Sequence, residues 1–271
     1  MPRNAREAGI SRLFHYEKFD AHYFADCLVN QRIYCSDPAN LNDPWDCRPW
    51  FSEQVLEDPD TLEGFLEWLT SFKPTVLVCE EELAAIKDTL RKDADERKAL
   101  LERFSKRFMD TIPGRWRLYC LTPFPDSTLM WSHYADNHRG ICLEFSTDYF
   151  LFGSALEVQY LSAYPQWSPQ ALMDKTNPHM LLSKSRDWSY ESEYRIIGLG
   201  EGLPRPPAGH ALELKGQFLN IPKGALQAVI VGCEADFPSV TNVATRSAPG
   251  LKIKRVVQSR TQYKLEIVAV V

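Results

Sequence analysis

A chain of 271 residues, 44% hydrophobic and 25% charged, has the composition of an ordinary globular protein and is long enough to bury a large core. A formal net charge of −5 excludes a general nucleic-acid binder and leaves room only for a local basic patch. Seven scattered cysteines with no C-x-x-C pair exclude a zinc knuckle and a secreted disulfide framework, and most read as small buried hydrophobes.

The opening MPRNAREAGISR carries charges with no apolar stretch behind them, so no signal peptide is expected. No apolar run approaches the roughly 18 residues of a membrane helix, and the expected setting is the cytoplasm, with no membrane partner. Leu13 to Tyr16 reads as a first strand. Phe19, Tyr23, Phe24, Cys27 and Leu28 then recur at helical spacing and predict an amphipathic helix over Lys18 to Val29. Arg32 to Cys35 is a second strand, running into a loop from Ser36 to Pro44 that is full of turn formers.

From about 60 to 110 the chain becomes rich in Leu, Ala, Lys and Glu and predicts two or three helices, interrupted near Lys73-Pro74, as a helical insertion or subdomain. Arg115 to Leu121 is an apolar strand, and Asp126 or Ser127 caps a helix through Met130, Trp131 and Tyr134. Strands follow at Gly140 to Phe145 and Ala155 to Tyr160. After two short helical stretches, Glu191 to Leu199 alternates like a half-buried strand. A proline-rich loop spans Gly200 to Gly209, and Leu226 to Val231, Lys252 to Val257 and Lys264 to Val271 complete the β content. Strands and helices mix without βαβ regularity, which predicts a single α+β domain over 1–271 with a largely antiparallel mixed sheet.

Three segments carry candidate chemistry. The first pairs His15 and Tyr16 with the turn at Asn42-Asp43-Pro44. The second, MWSHYA, places Met130 and Tyr134 on one helix face; Trp131 suits a core, and Tyr134 brings a polar handle to an aromatic surface. His133 and His138 are five apart, off the spacing of a helical metal pair, so no metal is expected. The third, KSRDWSYESEYR, places Glu191, Glu193 and Arg195 on one face of a strand and Tyr190, Ser192 and Tyr194 on the other. That row is either an exposed ion pair or a carboxylate, Glu193 in first place, held ionised by Arg195 to stabilise positive charge on a substrate.

These motifs, in this order, resemble a widespread bacterial family known only as a domain of unknown function. Its pattern is an aromatic first strand, an N-D-P turn, M-W-x-H-Y-A ahead of a G-[IV]-[CA]-[IL]-x-F strand, and K-x-x-x-W-x-[YH]-E-x-E-[YW]-R. The matching stretches are Leu13 to Tyr16, Asn42 to Asp46, Met130 to Phe145 and Lys184 to Arg195, with Ile221 to Gly232 fitting as a late strand.

The order of His strand, helix, short strand and late E-x-E strand also looks like the ADP-ribosyltransferase superfamily. That resemblance implies His15 as the ribose-binding histidine, Tyr34 or Tyr134 as the aromatic against nicotinamide, and Glu191 or Glu193 as the catalytic carboxylate. Ser36, Tyr16, Asn42, Asp43, Trp131 and Arg195 would line the same site. The helices at 60–110 have no counterpart in the minimal fold. The implied activity is ADP-ribosyl transfer from NAD, or NAD glycohydrolysis, in a defence or toxin setting, with NAD as substrate and a macromolecular acceptor. The alternative is a non-catalytic module binding a nucleotide or peptide in that cleft.

Overall fold

A computed structural model describes residues 2–48, 56–71, 80–165, 167, 179–200 and 211–270. In chain order come β1 (Arg12–Glu17), α1 (Ala21–Asn30), β2 (Arg32–Tyr34), α2 (Pro59–Ser71), α3 (Glu80–Lys92), α4 (Ala94–Arg115), β3 (Trp116–Leu121) and α5 (Thr128–Tyr134). There follow β4 (Ile141–Ser146), α6 (Phe150–Gly153), β5 (Leu156–Glu157), β6 (Gln159–Leu161), β7 (Ser183–Ser185), β8 (Tyr194–Leu199) and β9 (Ala211–Glu213). The chain closes with β10 (Phe218–Asn220), β11 (Leu226–Val231), α7 (Phe237–Ser247), β12 (Lys252–Gln258) and β13 (Leu265–Ala269).

One sheet runs β1-β4-β11-β12-β13, antiparallel except between β11 and β12. A second runs β3-β8-β5, antiparallel, with β9 parallel to β8. The α+β class and the largely antiparallel, mixed pairing are as the sequence predicts.

Alternation along the first sheet decides which face each helix covers. Leu13, Ile141, Leu143, Phe145, Val229 and Val231 join Phe24 and Leu28 of α1 and Val240 and Ala244 of α7 in the main core. On the opposite face Phe14, Tyr16, Cys142, Ile230 and Val256 pack with Met130 and Trp131 of α5. The segment α2 to α4 gathers a small core of its own from Leu62, Phe65, Leu66, Leu90 and Leu101.

Several boundaries differ from the sequence expectation, each for a local reason. The first helix starts at Ala21 rather than Lys18 because the Asp20 carboxylate accepts from the His22 and Tyr23 amides. Ser127, not Asp126, caps α5. The strand expected over Ala155 to Tyr160 divides between β5 and β6, because the Val158 amide turns to the Glu193 carbonyl and the Gln159 amide to Leu182. The helix α7 has no counterpart in the sequence reading, although Asp236 capping Ser239, a proline in the first turn, and Val240 and Ala244 four apart announce it. The interruption at Lys73-Pro74, and all but Gly200 of the proline-rich loop, lie outside the described residues.

Candidate active site

The two sheets touch where β1 meets β3. Phe14 and Thr122 exchange both backbone hydrogen bonds, N–H to O at 2.8 and 2.9 Å, and there the pairing stops. At the next position the imidazole takes the place of a ladder bond: His15 Nδ1 donates to the Cys120 carbonyl at 2.7 Å, and the ring stacks on Tyr119 at 4.1 Å. Burial, working against that carbonyl bond, lowers the His15 pKa to about 4, so the ring is neutral at pH 7. His15 Nε2 stands 3.9 Å from Glu17, whose carboxyl burial raises to about 7.

His15 therefore stands at a divide. On one side a cavity of about 80 Å³ is walled by Tyr16, Asn42, Tyr134, Glu191 and Glu193. On the other a cleft of about 670 Å³ opens over Glu17, Tyr34, Ser36, Tyr119 and Arg32. The N-terminal strand, the Asn42 turn, α5 and the E-x-E segment, spread over about two thirds of the chain, meet at one place.

The E-x-E segment is not a strand where the charges sit. Glu191 closes a 3-10 turn (Arg186–Glu191), Ser192 is left-handed at φ 45°, and β8 starts only at Tyr194. The side chains are neither exposed nor half-buried: Glu191, Glu193 and Arg195 keep 2%, 4% and 1% of their surface. A buried guanidinium must fill its five N–H donors, and Arg195 does so inside the chain. Nε and Nη2 donate to the two Glu193 oxygens at 2.8 and 2.9 Å. Nη1 and Nη2 donate to the two Asp46 oxygens at 2.8 and 2.5 Å, and Nη1 also donates to the Leu181 carbonyl at 2.7 Å.

Lys184 Nζ continues the network, donating to Glu191 at 2.5 Å and Glu193 at 3.2 Å, with Asp46 at 3.8 Å. Tyr134 donates its hydroxyl to the other Glu191 oxygen at 2.5 Å and accepts from Asn42 Nδ2 at 3.1 Å. Below, the Glu193 amide donates to the Tyr160 hydroxyl at 2.8 Å.

Three carboxylates thus surround two cations, which leaves one surplus negative charge. Its location follows from the surroundings. Burial alone would raise the Glu193 pKa, but Arg195 and Lys184 beside it win and hold it at about 2. Burial and the Glu193 charge raise Glu191, and Lys184 and the Tyr134 hydroxyl offset only part of that. Glu193 is the permanently ionised, saturated carboxylate, and Glu191 is the member that can exchange a proton.

The other expected site residues fall into place around this network. Tyr16 donates its hydroxyl to the Phe124 carbonyl at 2.7 Å and presents its ring to the small cavity. Trp131 is fully buried edge-on against Tyr16, with Nε1 on the Pro125 carbonyl, and forms the packing behind the wall rather than the wall itself. Asp43 shapes the turn, accepting from the Trp45 amide at 2.9 Å, and its buried Oδ2 has no partner among the described residues. Tyr34 and Ser36 line the larger cleft, away from the glutamates; Tyr34 is half exposed, and Ser36 bonds Leu118 through its backbone.

Sequence reasoning missed Lys184 and Asp46 as members of the site. The signal was present: two glutamates and one arginine cannot be buried together without further partners. The cations that neutralise these carboxylates are the side chains of Lys184 and Arg195. Among the described residues, no group of three or more His, Cys, Asp or Glu could hold a metal ion. Among those residues, too, no helix is long and apolar enough to cross a membrane.

Residues 130–196 match the model of a family described as a protein of unknown function, DUF2971. The match starts on α5 and ends on β8, so it contains Tyr134, Lys184, Glu191, Glu193 and Arg195 and omits His15, Asn42 and Asp46. No curated protein and no solved structure matches the chain.

Proposed function

We propose that the protein cleaves the bond between nicotinamide and ribose in NAD, passing ADP-ribose to water or to a nucleophile on another molecule. The observation that supports this most is the buried carboxylate pair opening on the same cavity as a neutral histidine. A dinucleotide is far too large for the 80 Å³ cavity, but the adjoining 670 Å³ cleft lies within the range of small-ligand sites, about 300–1,000 Å³. The Tyr119 ring lines that cleft, and its buried hydroxyl has no partner among the described residues.

In this reading the bond from ribose C1′ to the nicotinamide nitrogen breaks, its electron pair leaves on nicotinamide, and C1′ acquires oxocarbenium character. Ionised Glu191 opposes that charge across a short, water-poor distance. Water or an acceptor hydroxyl then adds at C1′ and gives its proton to Glu191. Glu193 is a positioning residue: with both oxygens held by Arg195 and Lys184, it fixes the ammonium that in turn fixes Glu191. The sequence favoured Glu193 for the reacting role, and the hydrogen bonding favours Glu191.

A second reading, a nucleotide-binding module without chemistry, draws support from Glu191 too being bonded within the chain at both oxygens. Incubation with NAD and chromatography of free nicotinamide separates the two. Release that disappears in Glu191→Gln supports cleavage, NAD binding without release supports the module, and neither binding nor release refutes both.

A further inference from the structure

A further pocket, of about 660 Å³, lies between Thr128, His138 and the loop joining β12 to β13. Its wall includes Thr128, His138, Arg260, Thr261, Tyr263 and Lys264, and no carboxylate lines it among the described residues. On a chain of net charge −5, a pocket of cations and hydroxyls is a local reversal of sign. Tyr263 stands entirely in solvent beside the cations.

The histidine is held there at a conformational cost. Asp136, Asn137 and His138 are three successive left-handed residues, with φ of 47°, 53° and 68°. Residues other than glycine adopt such runs only when the surroundings enforce them, and they concentrate at functional sites. The enforcement is visible: the His138 amide donates to the Trp131 carbonyl, and its carbonyl accepts from the Glu234 amide, both at 3.1 Å. A Cβ on Gly232 would come within 2.1 Å of that carbonyl, so the neighbouring strand end is glycine to let it approach. His138 Nδ1 is shut off from solvent with no partner among the described residues, which favours the tautomer protonated at Nε2 and leaves Nε2–H as the ring's open donor.

We infer that this pocket binds a nucleotide, its phosphate held by Arg260, Lys264 and His138 and its base stacked on Tyr263. Cations supply the phosphate charge, and a free-standing aromatic ring supplies a face that every base fits. The source is either a free nucleotide or a residue of a single strand, which share this chemistry. The inference does not rest on the cleavage reading: the pocket shares no lining residue with the cavity of Glu191, and Glu191→Gln leaves its binding unchanged.

Calorimetric titration of the full chain with AMP, with a single-stranded DNA of about 8 nucleotides and with inorganic phosphate tests it, at salt between about 50 and 200 mM. Binding of AMP as tight as that of the strand assigns free nucleotides, and binding of the strand alone assigns a strand. The double substitution Arg260→Gln with Lys264→Gln weakens binding about tenfold or more. For the strand it lowers the slope of log affinity against log salt by roughly 1.4, about 0.7 per phosphate contact. Tyr263→Ala weakens binding about fivefold or more. All three positions are on a surface loop, so the fold survives. No binding of either nucleotide probe, binding untouched by these substitutions, or phosphate binding as tightly as AMP overturns the inference.

Discussion

Replacing Glu191 and Glu193 in turn by glutamine separates the reacting carboxylate from the one that holds the site. Each change removes the surplus negative charge, so charge count does not distinguish them; hydrogen-bond geometry does. Around Glu193 every neighbour is a donor: Arg195 Nε and Nη2, Lys184 Nζ and the Cys120 thiol. A glutamine amide must turn its NH₂ onto one of them, which breaks a buried pair and leaves donors unmatched. The expected cost is about 3–5 kcal/mol, or roughly 6–20 °C in Tm at about 2–4 °C per kcal/mol. At Glu191 one oxygen faces the Tyr134 hydroxyl, which accepts as readily as it donates. Glutamine can give its NH₂ to that hydroxyl and keep its carbonyl on Lys184, at a cost within about 1 kcal/mol. Activity should run the opposite way, with Glu191→Gln lowering nicotinamide release by about a hundredfold or more while the protein stays folded. Thermal melts by circular dichroism and nicotinamide chromatography on both variants read the two effects. Equal melting shifts would refute the donor-crowding argument, and full turnover in Glu191→Gln would refute its reacting role.

Two partly exposed titratable groups on β1 give opposite pH signatures. His15, at about 4 against an ordinary 6.5, is protonated in the unfolded chain first, so it makes stability rise with pH from 4 to 6.5. Glu17, at about 7 against 4.5, ionises first in the unfolded chain, so it makes stability fall from pH 4.5 to 7. Urea melts across this range should therefore diverge, Glu17→Gln keeping the rise and His15→Asn keeping the fall; parallel profiles would refute the opposite shifts of the two groups. At Gly140 a Cβ would lie 2.2 Å from the Glu17 carbonyl and 2.9 Å from Ala135 Cα, both backbone atoms that cannot swing aside. Gly140→Ala should destabilise by about 2 kcal/mol or more, and wild-type urea stability would contradict the close approach of β1 to the end of α5.

Much of the fold was legible because its rules act within a turn or along one strand. The alternation of Leu13, Phe14 and Tyr16 places each on the face it occupies, and the serine cap marks where α5 begins, whereas periodicity alone passes over the Asp20 cap that starts α1. The helical character of 60–110 announces itself in composition and is present as α2, α3 and α4. Even the association of Glu193 with Arg195, two residues apart, follows from local chemistry.

What the sequence by itself determined, then, is the α+β class and the set of charged residues that must find partners. Tertiary structure alone decided the partners. Arg195 reaches Asp46 across 149 positions, and Lys184 reaches both glutamates because Glu191 leaves the strand at a left-handed Ser192. It also buried a row that alternation alone would have left half in water. It set His15 at the parting of two sheets, and it withdrew Trp131 into the core behind Tyr16. The physical reason is range. Periodicity and capping are settled by neighbours a few residues away, whereas desolvated charges are matched by whatever the packing of separate sheets brings within about 3 Å.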